Sequence, residues 1–77
     1  MTELMKMLKD AGVRPEDTDH HVSDLYVFAT ETSRKVVREY NQTHTGLHKL
    51  NYDIFRDSVT GRPMYDFFFQ YDGDWND

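Results

Sequence analysis

Met1, Leu4, Met5, Leu8 and Ala11 recur at helical spacing, which places one apolar stripe on a 3.6-residue period. Thr2 stands where a side-chain oxygen can cap free N–H groups, Glu3 and Lys9 match the two ends of the helix dipole, and Gly12 supplies a stop. The stretch from Val13 to Ser23 offers few apolar anchors, and Pro15, Glu16, Asp17, Thr18 and Asp19 are turn-formers. It reads as a loop, with room for one helical turn starting at Pro15. Leu25 to Ala29 is a short unbroken apolar run, which predicts a buried strand rather than a helix.

Thr30 or Thr32 can cap a second helix whose stripe runs through Val36, Val37, Tyr40 and His44, with Gly46 as its end. From His48 to Asp57, Leu50, Tyr52 and Ile54 alternate with Asn51, Asp53 and Phe55, the pattern of a half-buried strand. Asp57 to Arg62 has the residues of a hairpin loop, with Gly61 placed to take a positive φ. The partner strand, Met64 to Tyr71, sets Tyr65, Phe67, Phe69 and Tyr71 on one face and Met64, Asp66, Phe68 and Gln70 on the other. Both faces carry aromatic rings, so this strand is expected at the centre, with Pro63 at its first residue, where a missing ladder N–H costs least. The expected fold is α+β, in the order α-β-α-β-β, with two helices and a three-stranded antiparallel or mixed sheet. A right-handed crossover through the second helix puts the last strand between the other two. Residues 1–77 form a single domain, with no repeat or linker.

Composition narrows what such a domain can do. A chain of 77 residues buries only about 60% of the surface that it exposes when unfolded, so stability is limited. With no cysteine, neither disulfides nor thiolate zinc sites can supplement a core that rests on Leu, Val, Ile, Met and the aromatics. The first ten residues alternate charge with Leu and Met instead of forming a signal-peptide stretch, and no apolar run reaches the roughly 18 residues that span a bilayer. A cytoplasmic location and no membrane partner are expected.

The net charge of −5 is unevenly spread. Residues 1–62 hold all nine Lys and Arg against ten acids, whereas residues 63–77 hold Asp66, Asp72, Asp74 and Asp77 with no base and six of the eleven aromatics. A phosphate-binding face needs a basic surplus, so direct nucleic-acid binding is not expected.

Candidate chemistry is sparse. His20 and His21 beside Asp24 could hold a metal ion, which makes a small metal- or ligand-binding domain the alternative reading. Against it, adjacent residues of a strand point to opposite faces, and no third ligand is fixed by a motif. His44 and His48 are read as a solvated corner, because Gly46 separates them. Ser23, Ser33 and Ser58 lack a nucleophile elbow or phosphate loop. No catalytic residue and no cofactor are expected. Phe55, Phe68 and Trp75 exceed what a thin sheet with both helices on one side should hide, and an apolar patch among carboxylates marks an interaction site. Asp66, Phe68, Tyr71, Asp72, Asp74 and Trp75 are therefore the expected partner-binding residues, and the carboxylates call for a basic partner. Self-pairing into a homodimer through an exposed strand edge is a further alternative.

The segments from His21 to Val27 (HVSDLYV) and from Thr60 to Asp72 (TGRPMYDFFFQYD) resemble motifs in small accessory proteins of phages and other mobile elements. That resemblance implies a counter-defence role of the anti-CRISPR kind: an inhibitor or adaptor that binds a host protein, for which a basic nucleic-acid-binding protein is the natural target. It transfers no catalytic residue.

Overall fold

The computed structural model describes residues 2–44, 46, 50–73 and 75. Helix α1 spans Glu3–Asp10, and a 3-10 turn at Pro15–Asp17 leads into strand β1, Thr18–His21. Strand β2 is Asp24–Phe28, helix α2 is Glu31–Thr43, β3 is Tyr52–Arg56 and β4 is Pro63–Phe67. The sheet is four-stranded in the order β1-β2-β4-β3, with every neighbouring pair antiparallel. The last strand lies between β2 and β3, as expected, but its aromatics Tyr65 and Phe67 share one face, with Met64 and Asp66 on the other.

The expected three-stranded sheet and α-β-α-β-β order are corrected to four strands and α-β-β-α-β-β. Thr18–His21, read as loop, is a strand because it pairs with β2 through a two-residue turn at Val22 and Ser23. Helix α2 stops at Thr43 with His44 as its C-cap, before Gly46 is reached. Strand β4 ends at Phe67, short of Tyr71. Phe69 takes φ +60, so it leaves the face of Tyr65 and Phe67 and stands 78% exposed.

Local chemistry explains the helix starts. Thr2 Oγ1 accepts the Met5 N–H at 3.2 Å and donates to the Gln70 carbonyl at 3.0 Å, so one cap fixes α1 and ties it to the C-terminal segment. At α2, Thr30 Oγ1 accepts the Ser33 N–H at 3.2 Å while Ser33 Oγ accepts the Thr30 N–H at 2.8 Å, a capping box. The Ser33 hydroxyl also donates to the Phe28 carbonyl at 2.7 Å, so this buried polar group is satisfied and locks the strand-to-helix turn. Pro63 cannot return a ladder bond to Ala29, and Arg34 Nε reaches the Ala29 carbonyl instead, at 3.4 Å.

The two faces of the sheet differ. Leu25, Val27, Tyr65 and Phe67 pack under Leu4, Met5 and Leu8 of α1 and Val36, Val37 and Tyr40 of α2. Each of these large side chains removed from water stabilises the fold by about 1.5–3 kcal/mol. Leu50 and Trp75 complete the core. Among the described residues, no helix packs on the other face.

Candidate functional site

Strand alternation fixes which residues share the open face. Asp19 pairs with Tyr26, Tyr26 with Asp66, and Asp66 with Asp53, so one row crosses all four strands. A parallel row runs Phe28, Met64, Phe55, in which Met64, only 6% exposed, is screened by its two aromatic neighbours. Tyr26 meets Phe55 edge-on with centroids 5.6 Å apart, and the Arg62 guanidinium lies 4.1 Å above the Phe28 ring. The face is therefore an aromatic floor with a cation at one end and carboxylates over the rest.

Its electrostatics are dominated by crowding. Like charges directly opposite one another across a ladder repel, and Asp53 and Asp66 are such a pair. Burial first, then a hydrogen bond to the Asp24 carboxyl and repulsion from Asp24 and Asp53, push Asp66 up to about 6. A hydrogen bond between two carboxyl groups exists only while one of them holds a proton. Asp66 Oδ1 is sealed from solvent without a hydrogen-bond partner. Burial, followed by the charges of Asp66, Asp24 and Asp19, raises the Tyr26 hydroxyl as well. Among the described residues, none of Asp19, Asp24, Asp53 and Asp66 forms an ion pair.

The six residues expected to bind a partner do not form one surface. Asp66 is half-buried on the open face, and Phe68 is half-buried just beyond β4, its N–H donating to the Asn51 carbonyl at 3.2 Å. Tyr71 stacks on His20 with centroids 4.0 Å apart, on the helix-covered side. Asp72 is exposed, and Asp74 lies outside the described residues. Trp75 is buried, 4% exposed within the core, so its ring is a structural group and not a free anchor. The reason is that the segment after β4 folds back: Tyr71 N–H donates to the Ser23 carbonyl at 2.9 Å, and Phe69 N–H to Asp24 Oδ1 at 3.3 Å.

Tyr26, Asp53 and Asp19 were not among those six. They share the parity of Asp66 in paired strands, a signal that exists only once the register is known. Conversely, β1 splits the metal candidates: His20 faces Tyr71, while His21 pairs with Asp24 towards the open face. Among the described residues, no group of three acidic or imidazole side chains converges as a metal site would. His44 is no solvated corner. Its Nδ1 lies 2.9 Å from the Tyr40 carbonyl and its Nε2 2.9 Å from Glu3 Oε2, while its ring stacks on Tyr40 at 3.9 Å. His48 lies outside the described residues.

A groove of about 420 Å³ runs beside α2 between Ala11, Thr32, Lys35 and Glu39. Among the described residues, no helix is long and apolar enough to cross a membrane. Comparison of the chain with protein-family models, curated proteins and solved structures gives no match.

Proposed function

We propose that this chain is a non-enzymatic inhibitor or adaptor, of the kind that phages and mobile elements carry, and that it binds a basic, nucleic-acid-binding host protein through the open face of its sheet. The observation that carries this reading is the row Asp19, Tyr26, Asp66 and Asp53, with Asp24 beside it. Four carboxylates held on one rigid face without ion-paired partners among the described residues repel one another in the free protein. A cationic surface relieves that repulsion on binding, and such a surface is what the groove of a nucleic-acid-binding protein offers. Tyr26 and Phe55 supply apolar contact between the charges, the mixture found at the energetic centre of interfaces.

The test uses two exposed positions that support no core contact. The full chain and the double variant Asp19→Lys, Asp53→Lys serve as bait in host lysate, with folding checked by circular dichroism. The expected result is capture of a basic protein by the native chain, weakened by salt and lost in the variant. A captured partner that is indifferent to charge reversal, or that is acidic, overturns the reading.

A further inference from the structure

The two edges of the sheet are unequally protected. At the β1 edge, the strand reads Thr18, Asp19, His20, His21, which is polar throughout, and Tyr71 stacks over His20. At the β3 edge, Ile54 is 54% and Phe55 40% exposed.

The ladder shows which backbone groups of β3 are free. Asp57 N–H donates to the Arg62 carbonyl, and Phe68 N–H donates to the Asn51 carbonyl. Bonded pairs alternate along an antiparallel ladder, so Asn51, Asp53, Phe55 and Asp57 spend their backbone groups on β4. Tyr52, Ile54 and Arg56 turn theirs outward, where they have no hydrogen-bond partner among the described residues. Edges of this kind template a further strand unless charge, a bulge or a covering segment blocks them.

We propose that β3 is a docking edge at which the partner adds an extended segment as a fifth strand, with Lys or Arg on the face of Asp53 alternating with apolar residues on the face of Ile54. This rests on the reading of a basic partner. Charge complementarity selects the occupant. Asp53 lies on the outermost strand, so a cation on the added strand sits next to its carboxylate, with Asp66 one strand further in. A second copy of the chain fits poorly: pairing two β3 strands about Ile54 brings both Asp53 side chains onto one face, between molecules that each carry −5. Main-chain bonds to Ile54 would give affinity and alternate side chains specificity, the logic of strand addition.

The test uses the full chain and four synthetic peptides: alternating Lys and Val, alternating Glu and Val, and two Lys/Val peptides, each N-methylated along one of its edges. Affinity is read by fluorescence anisotropy, and amide hydrogen exchange locates the contact. The expected result is that the Lys/Val peptide slows exchange at Ile54 and Arg56, the Glu/Val peptide does not bind, and methylation of one edge weakens binding about tenfold. Ile54→Pro, which removes an outward N–H and leaves the bonds to β4 in place, should weaken it similarly. If the Lys/Val peptide binds but neither methylation nor Ile54→Pro matters, the edge inference fails and the basic-partner reading stands. If no basic peptide binds and lysate capture is also indifferent to charge reversal, both fail. If the Ile54 amide is protected without peptide and the mass doubles with concentration, a second copy holds the edge and the inference is overturned.

Discussion

His44 Nε2 lies 2.9 Å from Glu3 Oε2, joining the C-cap of α2 to the first turn of α1 across 41 residues of sequence. The same ring approaches the Tyr40 carbonyl through Nδ1 at 2.9 Å. A carbonyl and a carboxylate both accept, so both contacts are hydrogen bonds when both ring nitrogens carry hydrogen. The bond to Tyr40 first, then the hydrogen bond to Glu3, raise the imidazole above its ordinary 6.5. A folded-state value above the unfolded one means that the folded chain holds the extra proton. This contribution to stability is complete below the unfolded pKa and is lost as pH rises through the folded one. Urea midpoints should therefore fall on going from pH 6 to pH 9, and His44→Gln should flatten that slope. An unchanged slope would show that the bridge does not form in solution.

A second pair of residues carries strain. Val22 has φ +59 and Phe69 φ +60, a region that costs L-residues roughly 1–2 kcal/mol. Both are also exposed, Val22 at 84% and Phe69 at 78%, so little packing offsets the cost. Glycine adopts this backbone freely. Val22→Gly should raise the urea midpoint, with a gain on the order of 0.5–1 kcal/mol once the extra unfolded-chain entropy is subtracted. A loss of stability would mean that the Val22 turn is not strained as described.

These two residues also explain where sequence reasoning stopped. Element starts and ends with local chemistry were legible: Thr2 and Thr30 as caps, Pro15 as the start of a helical turn, Gly61 with φ +71 in the hairpin. The central place of the last strand was legible from the crossover through α2, whereas the expected aromatics on both its faces are not there, since Tyr65 and Phe67 share the helix-covered face. Strand β1 was hidden because Thr-Asp-His-His has no hydrophobic alternation, and because its turn uses Val22 where a glycine would have announced it. Phe67-Phe68-Phe69 looked like one continuing strand, and only the backbone reversal at Phe69 breaks it. At the site, Asp66 was legible from the acidic, aromatic end of the chain. Asp19, Tyr26 and Asp53 were not, because what unites them with Asp66 is cross-strand register, a long-range property.

Trp75 separates structural from interfacial aromatic rings. It sits in the core at 4% exposure, and deletion of a buried ring of this size costs about 3–5 kcal/mol. Small domains have total stabilities of roughly 5–15 kcal/mol. Trp75→Ala should therefore lower the thermal midpoint steeply, or abolish folding at 37 °C. Its indole N–H is buried without an acceptor, so Trp75→Phe removes an uncompensated polar group and should cost less than about 1 kcal/mol. A Trp75→Ala variant that keeps native stability but loses partner capture would return Trp75 to the interface.

Asp66 offers the sharpest test, because the substitution Asp66→Asn should move stability and binding in opposite directions. Its carboxyl rises from 3.8 to about 6, so between those values the folded chain holds a proton that the unfolded chain has released. Stability from this group is present below the unfolded value and is lost as pH rises through the folded one. At pH 7 the ionised, half-buried group is a net cost, on the order of 1–2 kcal/mol after discounting for partial exposure. An asparagine keeps the shape, and its amide can donate to Asp24 as the protonated acid does. Asp66→Asn should stabilise the chain at pH 7, change little at pH 4, and flatten the slope between. It also removes a negative charge from the row formed with Asp19 and Asp53, so capture of a basic partner should weaken by about tenfold. Unfolding cannot imitate that combination, since a better-folded variant would bind worse. A variant less stable at pH 7 than the native chain would show that the carboxylates are not crowded, and the electrostatic basis for a cationic partner would go with it.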